Sequence, residues 1–166
     1  MKIDCLDVFQ RFFNRIPFAD IAPVAEILSD DCIYYSEGNN VRIFGKEEVV
    51  SQLSNIQIRR YDGIDVLQAT VTSNNSKMDF PVGTSCLALK YWEIPAIKSL
   101  VFLTINSDGK VDQISVMDSS SFTFDIHYPE GWHGFTSRVV AQEVAYDAQG
   151  RIKETKRRYL DGTLVE

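Results

Sequence analysis

The stretch that most constrains the fold of this 166-residue chain is Leu28 to Ile56, LSDDCIYYSEGNNVRIFGKEEVVSQLSNI. A short apolar helix end runs into Ser29-Asp30-Asp31. Cys32-Ile33-Tyr34-Tyr35-Ser36 then has the β-branched and aromatic composition that suits a pleated surface. Alternation sets Cys32, Tyr34 and Ser36 on one face of this strand, with Ile33, Tyr35 and Glu37 on the other. A polar loop, Glu37 to Asn40, and Val41-Arg42-Ile43-Phe44 lead to Gly45, which caps a helix. Its first turn carries Glu47 and Glu48 at the positive end of the helix dipole, and Val49, Leu53 and Ile56 form its buried stripe. A strand tied this closely to an amphipathic helix needs a sheet to pack on.

The residues before this stretch read as a helical hairpin. Asp4 can cap a first helix, with Asp7 in its first turn, and Leu6, Phe9, Phe12, Phe13 and Ile16 recur at helical spacing. Pro17 stops it. Asp20 can cap a second helix, Ile21 to Leu28, where Pro23 falls in the first turn and so breaks no intrahelical bond. From Arg59 the period changes to two. Strands are expected over Asp62–Thr72, Phe80–Trp92, Ser99–Asn106 and Lys110–Asp118, with Ser107-Asp108-Gly109 as the last hairpin turn. Helices followed by a meander of antiparallel strands make an α+β domain.

Residues 121 to 166 add to that core. Phe122–Phe135, FTFDIHYPEGWHGF, holds both histidines, His127 and His133, and reads as an aromatic loop. An Asp-x-His with a second histidine could hold a metal, but the spacing matches no metal motif, so no metal is assigned. Ser137–Tyr146 and Arg151–Leu160 alternate around the turn Asp147-Ala148-Gln149-Gly150, giving a C-terminal β-hairpin. Its second strand, RIKETKRRYL, concentrates basic residues in a chain of net charge −6. Lys153, Lys156, Arg157 and Arg158 could meet an acidic protein partner, or could keep an exposed edge strand from aggregating.

The acidic balance argues against nucleic-acid binding. Neither Trp92 nor Trp132 has the neighbours for a base-stacking platform. No apolar run reaches the roughly 18 residues of a membrane span. The first residues, MKIDCLDVFQRFF, mix charges into the apolar pattern and do not read as a secretory signal. Three widely spaced cysteines, Cys5, Cys32 and Cys86, fit small core residues in a reducing cytoplasm. Phosphate loops, nucleophile elbows, paired-cysteine zinc patterns and dinucleotide fingerprints are absent from the sequence, and no cofactor is expected.

Leu28-Ser29-Asp30-Asp31-Cys32-Ile33-Tyr34-Tyr35, Phe44-Gly45-Lys46-Glu47-Glu48-Val49-Val50 and Asp108-Gly109-Lys110-Val111 together resemble the nuclear transport factor 2-like superfamily, which includes SnoaL-like cyclases, scytalone dehydratase and ketosteroid isomerase. The resemblance implies a cystatin-like cone over residues 1–120: three helices packed on a curved antiparallel sheet, with 121–166 as an extension of the same domain and a homodimer as the assembly. It also implies a pocket for a small apolar molecule, which would be lined by Phe9, Phe13, Cys32, Tyr34, Ser36, Trp92, Phe102 and Trp132.

Two departures speak against the isomerase activity itself. Ser36 stands where that enzyme has its carboxylate base, and the first helix is rich in Phe where it has a tyrosine. The resemblance to the cyclases leaves Asp118, at the end of its strand, as an acid/base candidate whose pKa apolar neighbours could raise, helped by Tyr34 or His127. The other reading of Asp118 is a residue that turns the chain into Ser119-Ser120-Ser121. Three readings follow: a binder of a small apolar ligand, a SnoaL-like isomerase, lyase or cyclase, and an interaction module using the basic hairpin.

Overall fold

A computed structural model describes residues 3–15, 19–59, 64–91, 97–128 and 139–159, and of residues 57–59, 64, 91, 139–142 and 157–159 the backbone alone. Helix α1 (Cys5–Asn14) begins as its sequence predicts: Asp4 Oδ1 accepts from the Asp7 N–H at 3.1 Å. Its Phe9, Phe12 and Phe13 are buried, so the Phe-rich stripe faces the sheet. Helix α2 (Ala22–Ile27) is shorter than expected, because Leu28 already has extended backbone and opens strand β1 (Leu28–Ser36). Strand β2 (Val41–Phe44) folds back on β1, and α3 (Lys46–Arg59) follows. Gly45 sits between them at φ +91°, a left-handed conformation that a side chain makes costly.

Five further strands complete the sheet: β3 (Ile64–Asn74), β4 (Ser85–Tyr91), β5 (Ser99–Ile105), β6 (Val111–Asp118) and β7 (Phe122–His127). Their order is β2-β1-β6-β5-β4-β3-β7. The expected antiparallel sheet is therefore corrected to a mixed one, because β1 runs parallel to β6, from Leu28 opposite Val111 to Ser36 opposite Val116. The aromatic loop expected from Phe122 is also corrected over its first six residues, which form edge strand β7 against β3. Strand β4 starts at Ser85 and not at Phe80. The Thr84 N–H and hydroxyl both bond the Pro81 carbonyl, at 3.1 and 2.6 Å, and this turn carries Phe80 out of the sheet.

Alternation along the central strands builds a core on each face. On the helix side Phe9, Phe13, Cys32, Tyr34, Leu53, Leu87, Val101 and Ile114 pack together. Fully burying each large apolar side chain there contributes about 1.5–3 kcal/mol. On the opposite face Leu100, Phe102, Cys86, Ala88 and Phe122 form a second cluster, over which Phe80 stacks on Phe102 with ring centroids 4.0 Å apart. Polar side chains fasten α1 to the sheet. Strand β7 stops at His127 opposite Gln68, and at Val66 the Asn14 amide takes over, accepting from its N–H at 2.8 Å and donating to its carbonyl at 3.2 Å.

The C-terminal hairpin forms as expected from β8 (Val139–Tyr146) and β9 (Ile152–Tyr159), as a separate two-stranded sheet. Its turn is held by Asp147, whose carboxylate accepts from the Gln149 and Arg151 N–H groups and pairs with the Arg151 guanidinium. All three cysteines are free and buried. No described helix is long and apolar enough to cross a membrane.

Candidate functional site

The helix-side core fills the middle of the cone, and space remains beyond it at the end where β1 and β6 finish. Because β1 alternates as read, Cys32, Tyr34 and Ser36 all point to the helix side, at 0, 4 and 5% exposure. Cys32 is plugged beneath α3. Tyr34 and Ser36 reach a cavity of about 470 Å³. Val116, Met117 and Asp118 from the parallel β6 form its adjoining wall, Lys98 and Ser99 enter from the start of β5, Gln52 and Ile56 descend from α3, and Gly38 and Asn39 close one side. That volume is in the range of small-molecule sites.

The ends of β1 and β6 are tied together at this mouth. Glu37 donates its N–H to the Val116 carbonyl at 2.9 Å, and its Oε1 accepts from the Asp118 N–H at 3.1 Å. Asn40 lies just beyond at φ +48°, where a short polar side chain is tolerated. Asn39 Nδ2 approaches the Ser36 hydroxyl at 3.5 Å, a long contact that leaves the hydroxyl able to bond elsewhere.

Of the two readings of Asp118, the structure bears out the turn residue and not the acid/base group. Its Oδ1 accepts from both the N–H and the hydroxyl of Ser120, at 2.9 and 2.8 Å, capping the 3-10 turn Ser119–Ser121. Those bonds favour the ionised form and, with the Lys98 ammonium nearby, hold the carboxylate below its usual range. The expectation of a raised pKa is overturned: the side chain is exposed, so apolar burial has little hold on it. At neutral pH it accepts hydrogen bonds and has no proton to give.

The other candidate residues divide. Tyr34, Ser36 and Asp118 line one cavity. Phe9 and Phe13 are core residues at 0 and 2% exposure, with their ring centroids 6.2 Å apart. Phe102 is corrected to the opposite face of the sheet, under Phe80. His127 is on edge strand β7, four strands from β6, where its Nε2 lies 2.6 Å from the Thr70 hydroxyl. It is not brought near Asp118 or Tyr34. Trp92, Trp132 and His133 lie outside the described residues. Among the described residues no three His, Cys, Asp or Glu side chains gather as metal ligands would. On the hairpin, Lys153 and Lys156 are exposed, and Lys156 lies 3.8 Å from Glu154; the side chains of Arg157 and Arg158 are not described.

Sequence reasoning missed Gln52, Ile56 and Lys98. Gln52 had a signal, since it borders Leu53 on the flank of the α3 stripe and is half-buried. Lys98 had none, because it reaches the mouth through the pairing of Ser99 with Asp118 across β5 and β6.

No protein-family model matches the sequence, nor does any curated protein. Solved structures do match. An NTF2-like protein of unknown function from Mesorhizobium loti is 14% identical, with a TM-score of 0.50 over 69% of this chain and 89% of that one. A bacterial protein with a cystatin-like fold from Silicibacter pomeroyi is also 14% identical, with a TM-score of 0.48 over 68% of this chain and 72% of that one. A SnoaL-like protein of unknown function from Burkholderia thailandensis is 12% identical, with a TM-score of 0.43 over 68% of this chain and 86% of that one. The helices over a large mixed sheet and the Mesorhizobium structure agree: this chain has the nuclear transport factor 2-like fold, the cystatin-like cone.

Proposed function

We propose that the chain is a small-molecule-binding protein that holds an amphipathic ligand at the mouth of the cone without converting it. The state of Asp118 carries this reading. It is the carboxylate that lines the cavity among the described residues, and it is ionised and engaged by Ser120. Acid catalysis needs a group that keeps a proton near working pH, and this one does not. What the mouth offers is recognition. Ser36, Asn39, Gln52 and Lys98 can hydrogen-bond a polar substituent, while Ile56 and Val116 contact an apolar body. The filled interior limits how deep a ligand goes, so it rests on Tyr34 and above the aromatic core.

Native mass spectrometry of protein purified gently from its own source tests the proposal. The expected result is a retained small mass that disappears in Gln52→Trp, which fills the cavity from α3, and persists in Asp118→Asn. Conversion of that molecule by the wild type, lost in Asp118→Asn, would replace the binder with an acid/base enzyme.

A further inference from the structure

The opposite end of the cone holds a second cavity, of about 710 Å³, beneath the first turn of α1. Its walls come from Ile3 and Leu6 at the start of the chain, Ile27 at the end of α2, and Leu103 and Ile105 at the end of β5. Two of these are exposed, Ile3 at 56% and Ile105 at 44%. One exposed isoleucine is ordinary on a protein surface. Two lining the same apolar cavity, with three more aliphatic side chains behind them, form a surface that gains by being covered.

The polar groups at this base specify the charge of what covers it. Asp4 and Asp108 both line the cavity. Among the described residues the Asp108 carboxylate has no partner, and Asp4 gives one oxygen to the cap of α1, which leaves the other free to accept. The α1 N-terminus would attract an anion, but Asp4 already occupies it. Among the described residues Lys110 is the cation at the rim, and its ammonium is held by the Glu26 carbonyl at 2.7 Å. An anionic ligand would therefore face two carboxylates to reach one engaged lysine. A cation meets the opposite situation.

We propose that this base cavity is a second small-molecule site, one that takes a protonated amine carried on an apolar body. The hydrocarbon or ring would lie against Leu6, Ile27, Leu103 and Ile105, and the ammonium would stay at the wet rim between Asp4 and Asp108. The site is independent of the mouth: it shares no lining residue with it and lies at the other end of the β5–β6 pair.

Titration of the full chain with dodecylamine, dodecanol and dodecanoate, each kept below its micelle concentration, tests this by calorimetry and amide NMR. Dodecylamine is expected to bind once, more tightly than the alcohol or the acid, and more weakly as salt rises. Asp108→Asn with Asp4→Asn should weaken it about tenfold, and asparagine at position 4 keeps the helix cap. Ile105→Trp or Leu6→Trp should abolish binding while the melting curve stays cooperative, and Gln52→Trp at the mouth should change nothing. Equal binding of all three probes would overturn the charge argument. Binding that survives both tryptophan variants, or is lost in Gln52→Trp, would overturn the location, and no saturable binding would overturn the site.

Discussion

The two ends of the cone are made from the same strands and differ in how those strands finish. At the mouth, β1 and β6 run in regular parallel register from Ile33 opposite Gln113 to Ser36 opposite Val116, and Glu37 continues the ladder to Asp118. At the base the same pair loses register between Leu28 and Ile33, and the Ser29 hydroxyl and one Asp112 carboxylate oxygen are left without partners among the described residues. The carboxylates follow the same division. Asp118 at the mouth is structural; Asp108 at the base is free among the described residues. A carboxylate near a cavity in this fold is thus no sign of acid/base chemistry until its hydrogen bonds have been counted.

The contrast depends on the aromatic plug that separates the ends, and removing the plug should have the largest effect. Phe13→Ala is expected to cost about 3–5 kcal/mol in denaturant unfolding, and a survivor should lose the selectivity of both ends together. Next comes alkaline pH, read through a thiol of the outer face. Burial pushes the Cys86 thiol up to about 12 from an ordinary 9.0. Its contribution to stability is fully present below about pH 9 and is lost as pH rises towards the folded value. Cys86→Ala should flatten the unfolding midpoint against pH across that window, and a flat wild-type profile there would contradict the burial.

At the mouth, Asp118→Ala should cost about 1 kcal/mol as a lost cap, and Asp118→Asn only a few tenths. Because the folded pKa is depressed, the ionic share of that contribution is present above the ordinary carboxylate value and lost as pH falls through the folded one. The Ala and wild-type proteins should therefore converge in acid. The smallest effect is expected at the base, where Asp108→Asn should move stability by less than about 0.5 kcal/mol. A larger loss there would mean that the two carboxylates are alike after all.

How much of this was legible in the sequence depended on locality. The helices, the Asp4 cap and the shared face of Cys32, Tyr34 and Ser36 follow from short-range pattern, and all are present; that this face turns inward was implied by the family resemblance. Phe102 went to the wrong side because β5 is apolar on both faces, with Leu100 and Phe102 on one and Val101 and Leu103 on the other, so alternation gave no direction. Strand β7 did alternate, with Phe122, Phe124 and Ile126 facing the outer core and Thr123, Asp125 and His127 away from it. Its neighbours Ser119–Ser121 and Pro129-Glu130-Gly131 made it resemble a loop. The pairing of β1 with β6, which assembles the mouth, left no local trace. The fate of Asp118 did leave one: the serines that follow it, Ser119-Ser120-Ser121, read as a turn, and Ser120 is what engages its carboxylate.

That parallel pairing also orders events in time. Leu28 and Val111 lie about 80 residues apart in the chain, and closing a loop of that length costs entropy before any contact repays it. On the ribosome, β1 has β2 and α3 to hand as soon as they emerge, but it must wait for β6 before its other edge is satisfied. Until then the first third of the protein presents an unpaired, aromatic-rich strand edge to its surroundings. The slow step in making this protein is expected to be the arrival of its sixth strand, and a nascent chain stalled before Val111 should be the form that chaperones recognise.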